Sequence, residues 1–112
     1  MIKNFDLKNQ RCAPCEGITK PLPESDISIL LGRLDGWERH GHNIFREFKF
    51  ENYYQTIAFV NAVAWISHCE DHHPILNVQH NKCHVTYFTH ALNNLSENDF
   101  ICAAKVNSLL KI

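Results

Sequence analysis

The chain has 112 residues, 45% of them apolar and 21% charged, a mixture that suits one globular domain with a modest core and excludes a disordered segment. Its 11 basic and 12 acidic side chains leave a formal charge of -1, with no basic block or acidic tail, which argues against nucleic acid as a partner. No stretch is apolar enough for a membrane span or a signal peptide, so a cytoplasmic protein is expected, whose five cysteines stay reduced rather than forming a disulfide framework.

Residues 1–23 read as a loop-rich lead-in, with Pro14, Gly17, Pro21 and Pro23, before a single domain over 24–112. PESDISILLGRL then predicts a short helix capped by Ser25, with Ile27, Leu30, Leu31 and Leu34 on one face. Asp35-Gly36 ends it. Trp37–His40 and Asn43–Phe50 predict two strands joined at Gly41-His42. In the second, Ile44, Arg46, Phe48 and Phe50 share a face by parity.

A long helix is predicted from Asn52, its N-cap, to about Cys69. Within IAFVNAVAWI (57–66) only Asn61 is polar, so this helix is expected to bury more than one side, the second against another subunit. Pro74 disfavours helix at His73, which places the stop near His72. A weak strand over Asn77–His80 and a better one over Lys82–Thr89 follow. Cys83, Val85 and Tyr87 share one face of the latter; His84, Thr86 and Phe88 share the other, and His90 continues their parity. Ser96 caps a last helix. The order α-β-β-α-β-β-α indicates an α+β fold: a four-stranded antiparallel sheet with helices on one face.

Chemistry concentrates in HCEDHHP (68–74), which holds three histidines, a cysteine and two acids in seven positions. A metal reading starts from His68 and His72, four apart on one helix face, with Cys12 and Cys15 as a CxxC pair. Against it, a metalloprotease helix needs Glu directly after the first His, and that position is Cys69. A lone CxxC also reads as two loop thiols without a ligand. A nucleophilic thiol is the other option, but Cys83 alternates with core residues and Cys69 lies on a buried helix. His40, His42 and His80 read as surface residues. His72, His73, His84 and His90 gather at one helix end and along one strand parity. Imidazole titrates near neutral pH, so such a cluster suits acid–base chemistry without a metal.

DHHPILNVQHNKCHVTYFTH (71–90), followed by Asp99, resembles the pterin-4a-carbinolamine dehydratase family. His68, His72, His73 and Pro74 fill the first places of its pattern, and His90 and Asp99 the later ones. Gly36-Trp37 and FKFENY (48–53) also match, so the resemblance covers about residues 24–110. The sequence departs from it at His80, where the family has an aromatic, and at Asn94, where it has glycine; Asn tolerates the left-handed geometry such a turn needs.

The resemblance implies a dimer or tetramer that removes water from 4a-hydroxytetrahydropterin to give quinonoid dihydropterin, in tetrahydropterin recycling for aromatic amino acid hydroxylases. It implies His72, His73 and His90 as catalytic groups and neither metal nor cofactor, the pterin being the substrate. Asp71, Trp37, His84 and Thr89 are the candidates for contact with the pterin. Asp71 reads equally as a solvated charge, and Trp37 at least as much as a core aromatic; Asp99 reads as support for the first turn of the last helix rather than as a reacting group. Relatives that act as dimerisation cofactors make a non-catalytic binding module the alternative, with zinc binding a further one.

Overall fold

The computed structural model describes residues 6–14, 17 and 20–110. Cys15, half of the CxxC pair, lies outside them. The elements are α1 (Glu24–Gly32), β1 (Glu38–His40), β2 (Asn43–Lys49), α2 (Tyr53–Glu70), β3 (Ile75–Val78), β4 (Lys82–Tyr87) and α3 (Glu97–Ser108), in the expected order. All pairings are antiparallel and the strand order is β1-β2-β4-β3, so β2 and β4 form the middle of the sheet.

Strand alternation decides which face is covered. Ile44 and Phe48 of β2 and Cys83, Val85 and Tyr87 of β4 are buried against α1, α2 and α3. The intervening Phe45, Glu47, His84 and Thr86 are only half-buried, because no helix covers their side. Arg46 lies on the covered face but reaches its edge, where its guanidinium donates to the Asp35 carbonyl and to Asn107 Oδ1, at 2.8 Å each. Gly36, with φ +82°, passes so close to that guanidinium that a Cβ would sit 2.7 Å from Arg46 Nε. The positive φ favours glycine there, and a side chain would also push the Arg46 guanidinium aside.

Several boundaries differ from those expected. α1 starts at Glu24 after Pro23, whose carbonyl accepts Asp26 N–H and Ile27 N–H; Ser25 is inside the helix and caps nothing. β3 occupies Ile75–Val78 rather than Asn77–His80, because pairing with Cys83–Thr86 starts immediately after Pro74. β4 ends at Tyr87; beyond it Thr89 makes one isolated bridge to Asn94. The left-handed residue of that turn is Asn93 (φ 48°), not Asn94, whose side chain accepts Leu95 N–H.

Asn52 caps α2 as expected, accepting Gln55 N–H at 2.9 Å. The helix stops at Glu70 because Asp71 turns left-handed (φ 52°), two residues before the stop inferred from Pro74. One face of α2, centred on Thr56, Phe59 and Val63, is buried. The opposite face is open: Tyr54 is 82% and Trp65 66% exposed, since one chain has no second layer to cover them. No helix among the described residues is long and apolar enough to cross a membrane.

Residues 6–14 do not hang free. They cross α3, where Leu7 enters the core and Lys105 Nζ donates to the Lys8 carbonyl at 2.9 Å.

Candidate active site

Two dipeptides run side by side where α2 ends and β4 ends. His72-His73 follows the left-handed Asp71, and Thr89-His90 follows β4. Their inner members face the core and their outer members face solvent. His72 is 5% exposed and Thr89 is fully buried, whereas His73 and His90 are exposed.

Asp99 joins the inner pair. It is fully buried at the third position of α3, and its Oδ1 lies 2.7 Å from His72 Nε2. Its Oδ2 accepts Thr89 Oγ1–H at 2.9 Å and Ser96 N–H at 3.0 Å. Ser96 Oγ is also 2.6 Å from Thr89 Oγ1. An ionised carboxylate only accepts, so His72 Nε2 carries the proton of the shared hydrogen bond. That fixes the tautomer of the neutral ring and directs Nδ1 away from Asp99. The Ser96 contact is the return half of a capping box, so the geometry that starts α3 also places the carboxylate behind His72.

Tyr87 supports His72 from the sheet, its ring nearly parallel at 8° and 5.8 Å between centroids. Burial pushes the Tyr87 phenol far above its ordinary range, so it stays protonated as a packing group. The outer pair is an open imidazole surface: the rings of His73 and His90 are 5.2 Å apart, and Phe88 lies 4.2 Å from His90. At that spacing no ring fits between them, so the two imidazoles form one surface against which a flat heterocycle can lie.

The other candidates fall in different places. Asp71 is exposed at the turn beside the two histidines. Trp37 is in the core against Phe48 and Tyr87, and its indole N–H donates to Asn107 Oδ1 at 2.8 Å. His84 lies on the uncovered sheet face with Nε2 2.9 Å from Glu47 Oε2, a pairing that lowers the Glu47 carboxyl. His68 is exposed beside Trp65, and Cys12 lies against Cys102. Among the described residues no three His, Cys, Asp or Glu side chains converge as a metal site. Two cavities of about 260 Å³ lie elsewhere, one between Leu7 and Arg33, the other at the start of α3 beside Lys20.

Fold and site define an α+β protein of the imidazole–carboxylate type, with helices on one face of an antiparallel sheet. The profile of the pterin 4 alpha carbinolamine dehydratase family matches residues 20–109. A Nitrosospira multiformis protein named for pterin-4-alpha-carbinolamine dehydratase is 59% identical over 96% of this chain and 95% of its own. A Brucella melitensis crystal structure described as a transcriptional coactivator/pterin dehydratase is 33% identical, with TM-score 0.77 over 80% of this chain and 98% of its own. A pterin dehydratase-like RuBisCO assembly factor of the alpha-carboxysome is 31% identical, with TM-score 0.58 over 66% and 88%. The chain belongs to the pterin 4 alpha carbinolamine dehydratase family. Its enzyme class is that of a hydro-lyase.

Proposed function

We propose that this chain dehydrates 4a-hydroxytetrahydropterin to quinonoid dihydropterin in the cytoplasm, recycling the pterin used by aromatic amino acid hydroxylases. The reaction breaks the C4a–O bond and removes the N5 proton. Hydroxide leaves poorly, so a general acid protonates it while a general base takes the N5 proton. His73 and His90 meet the ring from one side and exchange these protons, and His72, anchored on Asp99, is the third group. Asp71, beside the two histidines, contacts a pterin N–H. Thr89 serves the site through its hydrogen bond to Asp99. The observation that carries this reading is the side-by-side pairing of His73 with His90, backed by a buried carboxylate on His72. A non-catalytic scaffold has no use for that arrangement.

No metal enters this chemistry. Protein treated with a chelator and mixed with the carbinolamine therefore loses none of its acceleration over the uncatalysed reaction. A rate that falls to the uncatalysed value and returns with added zinc would overturn the proposal.

The exposed face of α2 and the open edge of β3, with Ile75 and Val78 at the surface, suit a homodimer or homotetramer. Trp65→Glu puts a charge in the middle of the α2 face. Sedimentation is expected to show a smaller assembly for this variant than for the parent chain; identical assemblies would place the interface elsewhere.

A further inference from the structure

We propose that Cys12 and Cys102 form an oxidation site: a thiol pair that closes to a reversible disulfide and locks the N-terminal segment onto α3. The proposal is independent of the pterin chemistry. The two Sγ atoms are 3.5 Å apart, although 90 residues separate them in sequence. A displacement of about 1.5 Å reaches the S–S length of about 2 Å. Cys102 is fixed within a helix, while Cys12 lies in irregular chain that can supply the movement.

The surroundings hold the pair in register. Cys12 N–H donates to Glu70 Oε1 at 2.8 Å, and the Glu70 carboxylate is flanked by Arg11 and Lys105, each at 3.7 Å. Asn98 clasps the next residue both ways, accepting Ala13 N–H at 2.9 Å and donating to the Ala13 carbonyl at 2.8 Å. These bonds present Cys12 to Cys102 in every copy, so closure needs no search.

Access assigns the order of events. Cys12 is half-buried and Cys102 fully buried, so an oxidant meets Cys12 first. A peroxide converts the Cys12 thiolate to a sulfenic acid and leaves as water. The Cys102 sulfur then attacks the Cys12 sulfur, forming the S–S bond and expelling hydroxide, which takes up the thiol proton. In sum, two thiols and hydrogen peroxide give one disulfide and two waters. The hydrogen bond with Cys12 and then burial push the Cys102 thiol up, so Cys102 stays a thiol while Cys12 is oxidised, and its attack is the slower step. A reducing cytosol returns the pair to thiols, so the bond marks oxidant exposure.

The test treats the reduced full chain with hydrogen peroxide in the presence of a chelator, then maps peptides without reduction. The expected product loses two hydrogens and carries a Cys12–Cys102 cross-link. It melts several degrees higher, because the bond closes most of the chain into one loop. A dithiol reverses both changes. Cys12→Ser and Cys102→Ala abolish them, and Cys15→Ser retains them. Cys12→Ser alone decides the matter if the buried Cys102→Ala fails to fold. A Cys12–Cys15 bond would overturn the proposal. So would Cys12 oxidised beyond sulfenic acid with Cys102 still a thiol, or both thiols intact while exposed Cys69 is oxidised.

Discussion

His90→Ala lowers dehydration of 4a-hydroxytetrahydropterin about 10²-fold, the lower end of what a positioned acid or base contributes. His73→Ala does the same. Both rings are exposed, so their removal costs little core packing and the loss falls on chemistry rather than folding. The 5.2 Å ring spacing makes them one unit. The double variant is therefore expected to lose less than the product of the two single losses. Rates measured at saturating carbinolamine, with circular dichroism as the check on fold, decide it. Normal turnover in both single variants would remove the imidazoles from the mechanism.

Asp99→Asn has the second large effect, and it acts through geometry. The carboxylate accepts at both oxygens, from His72 on one side and from Thr89 and Ser96 on the other. An amide offers one acceptor and turns N–H groups toward the second side. Facing His72, it forces the ring into the other tautomer; facing Thr89 and Ser96, it leaves the Ser96 N–H without its acceptor. Activity is expected to fall at least about 10²-fold, as for loss of an acid–base group. Stability is expected to fall by about 1–3 kcal/mol, the cost of an unsatisfied buried polar group. Thr89→Val separates the two contributions. It removes a hydrogen bond to Oδ2 but keeps the Asp99 carboxylate facing His72, so it costs about 1 kcal/mol of stability and only a few-fold in rate. Equal activity losses in Asp99→Asn and Thr89→Val would mean that Asp99 serves the start of α3 alone.

The regular parts of this fold are written plainly in the residues. Asn52 and the apolar run behind it specify α2, and Ser96 with Asp99 specifies the start of α3. The parity of Cys83, Val85 and Tyr87 specifies the covered face of the sheet. What misleads is local chemistry that tertiary pairing overrides. Pro74 suggests the end of α2, yet the left-handed Asp71 ends it first. β3 has one half-buried residue, Leu76, among exposed ones, so periodicity does not locate it. The apolar outer face of α2 is legible as a pattern, but what covers it is not, because apolarity in sequence does not name the covering surface.

The histidines themselves are legible because they crowd a helix end and one strand. Their division into an inner and an outer layer is not. Asp99 is legible as a helix-capping acid, but its contact with His72 spans 27 residues and depends on how the turn after Thr89 returns the chain to α3. Trp37 reads as pocket wall or core aromatic, and its packing on Phe48 and Tyr87 with a hydrogen bond to Asn107 locates it in the core.

The central claim is that this imidazole pair, backed by His72 and Asp99, removes water from a pterin carbinolamine. The most direct measurement is a single-turnover reaction with protein in excess over 4a-hydroxytetrahydropterin, following appearance of the quinonoid product. The parent chain is expected to outrun the uncatalysed reaction, and the chain carrying both His73→Ala and His90→Ala to fall back to it. A parent chain no faster than buffer, or a double variant as fast as the parent, would contradict it.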